Sequence, residues 1–210
     1  MRLTDVDKNA FENQGYLLIE DALTIGDIDP VINEYEKYID NRAKELYRAG
    51  KISNLFEEQP FEKRLACICR EFENLYHEMD IMHFRGKECF KFLSNKNLID
   101  IVEGLVGPEI TCSPIQHIRA KLPEGTTPKG ADAHVVPWHQ DAGVTWEEAD
   151  PYFILTVWLP LVNSTVENGC LEIMPRVHGD GLWEHSSKPG IGTTIPDDLM
   201  PSAESLLLPM

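Results

Sequence analysis

Gly107-Pro108 divides this chain into two stretches with different apolar periods, and that change narrows the architectures open to it. Before it, Ile28, Val31, Ile32, Tyr35, Ile39, Ala43 and Leu46 recur at helical spacing, with acids and bases on the opposite face. A second helical pattern runs from about Phe61 to His83. A third, from Leu98-Ile99 to Leu105-Val106, stops at the Gly-Pro pair. Phe11-Glu12-Asn13-Gln14-Gly15 reads as the end of a short helix closed by glycine, with Tyr16-Leu17-Leu18-Ile19 following as a buried strand. After Gly107-Pro108 the period becomes two. Residues 115–122 alternate, Val135 to Asp141 is extended, and Tyr152 to Leu161 is an apolar, β-branched run expected to be a strand. Asn168-Gly169 marks a turn into a strand over Cys170 to Met174, and from Pro175 onward the chain reads as loop. Helices first and strands after predict an α+β protein whose sheet carries the chemistry. A chain of 210 residues suits a single domain spanning 1–210, with 1–109 a mainly helical flank and 110–210 the sheet-bearing part.

Charge removes several partner classes. The formal net charge is -16, from 19 Lys+Arg against 35 Asp+Glu, and such a field repels phosphate. No basic stripe offsets it, so neither nucleic acid nor an anionic membrane surface is an expected partner. Met1-Arg2-Leu3-Thr4-Asp5 has no apolar leader, and no apolar run reaches membrane-spanning length. The five cysteines (Cys67, Cys69, Cys89, Cys112 and Cys170) follow no zinc or redox spacing, and free thiols in a reducing cytosol are expected. The expected location is cytoplasmic.

Trp138-His139-Gln140-Asp141 carries the chemistry. In an extended segment residues i and i+2 share a face, so His139 and Asp141 present one nitrogen and one oxygen side by side. That is two thirds of the 2-His-1-carboxylate triad that holds a non-haem Fe(II) with positions left open. The plainer alternative is a His–Asp hydrogen bond in an ordinary strand. Strict alternation turns the Gln140 side chain away from that face. His117 shares a face with Arg119 and Lys121, where these groups meet either a carboxylate or solvent. Trp158 is a core aromatic in an apolar strand or the wall of a pocket, and the two are compatible. His134 reads as a solvated loop residue and His178 as a structural one. His185 is a lesser candidate for a third ligand, and Cys170 reads as a small buried hydrophobe.

Three further stretches join this one in a larger pattern. Val136-Pro137-Trp138-His139-Gln140-Asp141, then Val157-Trp158-Leu159-Pro160-Leu161, then Glu167-Asn168-Gly169-Cys170-Leu171-Glu172-Ile173-Met174-Pro175 with His178, resemble the phytanoyl-CoA dioxygenase family, as does the opening Phe11 to Tyr16. An isolated HxD is weak, whereas these pieces in this order are specific. The resemblance implies a double-stranded β-helix, a cupin-like jelly roll flanked by helices, using Fe(II) and 2-oxoglutarate. In that chemistry 2-oxoglutarate chelates the iron, O2 is consumed, CO2 and succinate are released, and a C–H bond of a small organic substrate is hydroxylated. By resemblance His139 and Asp141 match iron ligands, while Trp158, Gln140 and, more loosely, His117 match cosubstrate-binding positions. A carboxylate at Asp141 argues for hydroxylation, since halogenases of similar fold carry a small residue there. The family places a distal histidine and a cosubstrate-pairing arginine on strands beyond a long loop. Ser205 to Met210 resembles the lead-in to those strands, so the jelly roll is expected to be incomplete at this chain's C-terminus. The alternative reading is a catalytically inactive jelly-roll protein serving as a binding module.

Overall fold

The computed structural model describes residues 2–79, 84, 86–113, 120, 122, 136–145, 152–188 and 192–210. The expectations for His83, His117, Arg119, Lys121, His134 and most of the 115–122 strand lie outside the described residues. The protein is a mixed helix-and-sheet molecule that divides into two compact units interleaved along the sequence. One comprises 21–100 and 110–131; the other comprises 1–20, 101–109 and 132–210.

The first unit is helical. Its axis is α2 (Ile25–Arg48), opened by Thr24, whose backbone N–H and hydroxyl both donate to Asp27 Oδ2 at 2.8 and 2.7 Å. Val31, Tyr35, Ile39, Ala43 and Leu46 form the buried stripe of α2, as their spacing predicts. Against it pack α3 (Phe61–Cys69) and α5 (Lys87–Phe92), and α3 packs on α4 (Leu75–Glu78). Leu65, Ile68, Cys69, Leu75, Met79 and Cys89 complete this core. The single helix expected over 61–83 is therefore broken, with α3 ending at Cys69 and α4 beginning at Leu75.

Two polar links brace these helices. Arg42 holds Glu78 through Nε at 2.7 Å and Nη2 at 3.0 Å, and Tyr38 donates to the same carboxylate at 3.0 Å. The Glu34 carboxylate accepts the first free N–H groups of α5, from Glu88 at 2.9 Å and Cys89 at 3.0 Å. The division between units falls within α6 (Lys96–Val106), which ends at Gly107 with φ 88°, where the Gly-Pro pair places it.

The second unit opens with α1 (Asp5–Gln14), capped by a Thr4–Asp7 box and closed by Gly15 at φ 79°. Its strands are short and antiparallel. β1 (Leu171–Ile173) pairs with β4 (Leu206–Leu208) in the register Leu171 with Leu208 and Ile173 with Leu206. A reciprocal pair of backbone bonds between Ser164 and Met210 continues the contact, the Met210 N–H donating at 2.8 Å. β2 (Ser186–Lys188) pairs with β3 (Gly192–Thr194). The predicted turn is present: Gly169 has φ 84°, and Asn168 Oδ1 accepts the Thr165 N–H at 2.7 Å while its amide donates to Asn163 O at 2.7 Å.

Three expectations are corrected here. Tyr16–Ile19 is not a strand but a half-exposed connection, because nothing among the described residues offers it a ladder. Residues 152–161 likewise carry no strand, and Tyr152, Phe153 and Val157 are exposed. The stretch after Pro175 is not loop throughout, since β2, β3 and β4 all form there. None of the described helices is long and apolar enough to cross a membrane. All five cysteines are free thiols. Cys69, Cys89 and Cys170 are buried, and burial pushes Cys69 up to about 12 and Cys89 up to about 11.

Candidate functional site

The Trp138–Asp141 segment is fixed by its backbone. Trp138 O accepts the Ile195 N–H at 2.8 Å and the Thr194 hydroxyl at 3.2 Å, which ties it to the end of β3. Thr194 and Ile195 are both buried. Gln140 is extended (φ -104°, ψ 136°), and Asp141 then opens a 3-10 turn, Asp141–Val144. The HxD pair thus sits where an extended segment bends, not inside a strand.

His139 and Asp141 nevertheless meet. His139 Nε2 lies 3.2 Å from Asp141 Oδ1, with the side chains 27% and 42% exposed. The outer atom of each is held from behind. His139 Nδ1 lies 2.7 Å from Pro137 O. A carbonyl can only accept, so Nδ1 carries a proton, and Nε2 faces Asp141. Asp141 Oδ2 accepts the Thr156 hydroxyl, and Oδ1 faces His139. Two electron-rich atoms facing each other at this separation require a positive charge between them, either a proton on Nε2 or a metal cation. The 3.2 Å spacing fits either: it is the length of an N–H···O bond, and two ligands bonded at about 2.1 Å and at right angles to one octahedral ion stand about 3.0 Å apart. Among the described residues no third His, Cys, Asp or Glu joins them.

The remaining candidates separate into distinct roles. The Gln140 side chain is engaged with the loop before β2: its amide donates to Gly181 O at 2.8 Å, and its Oε1 accepts the Trp183 N–H at 2.7 Å. His185 lies at the same junction. Its Nδ1 is 2.7 Å from Trp183 O, and its Nε2 accepts the Gln140 N–H at 2.9 Å. Trp158 is half-buried, two residues beyond Thr156. His178 is structural: its Nε2–H donates to Glu12 O at 3.0 Å, and its ring lies on Gly15, where a Cβ would meet Nδ1 at 2.3 Å. Arg176 adds backbone and side-chain bonds to Gln14, at 2.8 and 3.2 Å. The Trp183 indole N–H is buried and meets no acceptor among the described residues. Sequence reading missed Thr156; the signal was a lone hydroxyl inside the apolar run Ile154-Leu155-Thr156-Val157.

Residues 11–189 match the family described as phytanoyl-CoA dioxygenase (PhyH), a cupin-like jelly-roll family whose members generally depend on Fe(II) and 2-oxoglutarate. The chain belongs to the phytanoyl-CoA dioxygenase family. It is 26% identical over 188 residues to the human "Phytanoyl-CoA dioxygenase, peroxisomal", a match covering 87% of this chain and 50% of that protein. It is 24% identical over 203 residues to the "Phytanoyl-CoA dioxygenase domain-containing protein 1 homolog" of Dictyostelium discoideum, covering 87% of this chain and 68% of that protein. The chain therefore spans between half and about two thirds of these relatives. No solved structure matches it.

Proposed function

We infer that this chain carries the iron- and 2-oxoglutarate-binding elements of an oxygenase that hydroxylates a small organic substrate with O2. The supporting observation is the His139–Asp141 pair, whose Nε2 and Oδ1 converge at 3.2 Å while Pro137 O and Thr156 hold the opposite atoms. In this reading His139 and Asp141 hold the metal. Trp158 walls the cosubstrate pocket, and His117 is the further cosubstrate contact that family resemblance suggests. Gln140 serves that site through its hold on 181–183. Fe(II) and 2-oxoglutarate, held there by these residues, would supply the oxidising power for hydroxylation with O2. The protein's share is to hold a proton of His139 on Nδ1, to turn Asp141 Oδ1 toward Nε2, and to fix the angle between them. The antiparallel pairs β1–β4 and β2–β3 are taken as parts of the family's jelly roll. The acidic composition and five free thiols support a cytoplasmic setting without a nucleic-acid partner.

The test is anaerobic titration with Fe(II) and 2-oxoglutarate, on this chain and on one extended to the length of its relatives. A weak visible charge-transfer band is expected, and it should vanish in His139→Ala and Asp141→Ala. Succinate released in step with substrate identifies the oxygenase. No band and no succinate from either chain would leave the non-catalytic binding module as the better reading.

A further inference from the structure

His185 is a histidine beside the site whose two ring nitrogens are both already used. Its Nδ1–H donates to Trp183 O at 2.7 Å, and its Nε2 accepts the Gln140 N–H at 2.9 Å. The neutral tautomer with the proton on Nδ1 follows, because one partner can only accept and the other can only donate. Gln140 answers in kind, its side-chain amide donating to Gly181 O and accepting from Trp183 N–H. The residue between the two converging donors is therefore gripped three times, once at its backbone and twice at its side chain. Each of the three bonds spans more than forty residues of sequence. Gly143 completes the fit. A Cβ there would stand 2.3 Å from the His185 ring, so the imidazole occupies space that only glycine leaves.

The geometry points to His185 and Gln140 as positioning residues that set the angle between His139 and Asp141, rather than to His185 as a third metal ligand. The inference rests on the metal reading of that pair. Its physical basis is that the peptide units on either side of Gln140 carry the Cα atoms of His139 and Asp141. Holding the Gln140 N–H and side chain fixes those planes, and a shift of about 1 Å between donor atoms is enough to spoil a site. Groups that orient ligands in this way typically change metal affinity by about 10–100-fold when removed.

Two measurements on the full chain test it. The first needs no metal: hydrogen exchange at the Gln140 amide. This amide should be protected in the wild type and should exchange at least about tenfold faster in His185→Phe and in Gly143→Ala, whose new methyl displaces the ring. The second is Mn(II) affinity, read by electron paramagnetic resonance. Both variants should bind about 10–100-fold more weakly at little-changed Tm, and His185→Gln, which keeps an acceptor, should recover most of the loss. Pulsed measurements on the bound ion should count one coordinated imidazole in the wild type and the same one in His185→Phe. If the wild type shows two imidazoles and His185→Phe one, His185 is a ligand and the inference is overturned. If the wild type binds Mn(II) and both variants bind it equally well, or the Gln140 amide is unaffected by either change, the positioning role alone falls. If the amide responds but the wild type takes up no Mn(II), the metal reading falls and the positioning role with it.

Discussion

The helical unit and the unit that bears His139 and Asp141 are held together by different means. In the helical unit Val31, Tyr35, Ile39, Ala43, Leu46, Ile68, Cys69 and Leu75 are buried against one another, and apolar burial dominates. In the site-bearing unit the buried apolar side chains among the described residues are Ile101, Cys170, Ile195 and Leu208. Long-range hydrogen bonds, which in the helical unit supplement a core (Glu34 to Cys89, Arg42 to Glu78), stand here beside few buried apolar side chains: His178 to Glu12, Arg176 to Gln14, Thr194 to Trp138, and Gln140 and His185 to each other's segments. Burial is undirected and tolerates substitution, whereas a hydrogen bond fixes an angle and fails when one atom moves. A site that must aim two donor atoms is better served by the second kind of support.

Core truncation should separate the units most. Ile39→Ala should cost about 2–5 kcal/mol in denaturant unfolding, and Leu208→Ala, at the rim of a two-stranded pair, clearly less. Equal losses would end the contrast. Gly15→Ala should come next. A left-handed backbone costs a non-glycine residue about 1–2 kcal/mol, and the new Cβ also displaces the His178 ring. A neutral result in thermal unfolding would show that the α1–His178 contact carries no weight. Thr156→Val should move Tm little yet weaken Mn(II) binding about tenfold, because it removes the hydroxyl that orients Asp141 at Oδ2. Unchanged affinity would remove Thr156 from the site.

The smallest effect is electrostatic and belongs to the helical unit. Bonding to Arg42, with a further contribution from Tyr38, holds the Glu78 carboxyl below its ordinary value despite partial burial. A depressed carboxylate stabilises the fold above its unfolded pKa, and that contribution is lost as pH falls through the folded value. Stability should therefore decline below about pH 4, and Glu78→Gln should flatten that decline by about 1 kcal/mol or less. An unchanged acid limb in the variant would show that the pair contributes nothing.

The same contrast explains what the sequence made legible. The α2 stripe, the glycine stops at Gly15 and Gly107 and the Asn168-Gly169 turn are local patterns, and each is present. The pairing of His139 with Asp141 was also legible, although a bend rather than a continuous strand brings it about. Strand partners were not. β4 finds β1 across the whole terminal segment, and Tyr152–Leu161 has strand composition without a ladder among the described residues. Nor could spacing reveal that Gln140 faces Gly181 and Trp183, because a polar side chain announces that it needs a partner and not which one.

The bonds that tie Gln140 to His185 and Trp138 to Thr194 close loops of 45 and 56 residues. Chain closures of that length cost entropy before any contact returns it, whereas the turns of α2 form from neighbours. The order of assembly that follows is helices early and the HxD bend late, with the reverse order on unfolding. Pulse-labelling during refolding should accordingly find the Ile195 amide protected after those of α2, so that the bend bringing His139 to Asp141 takes shape only late in folding.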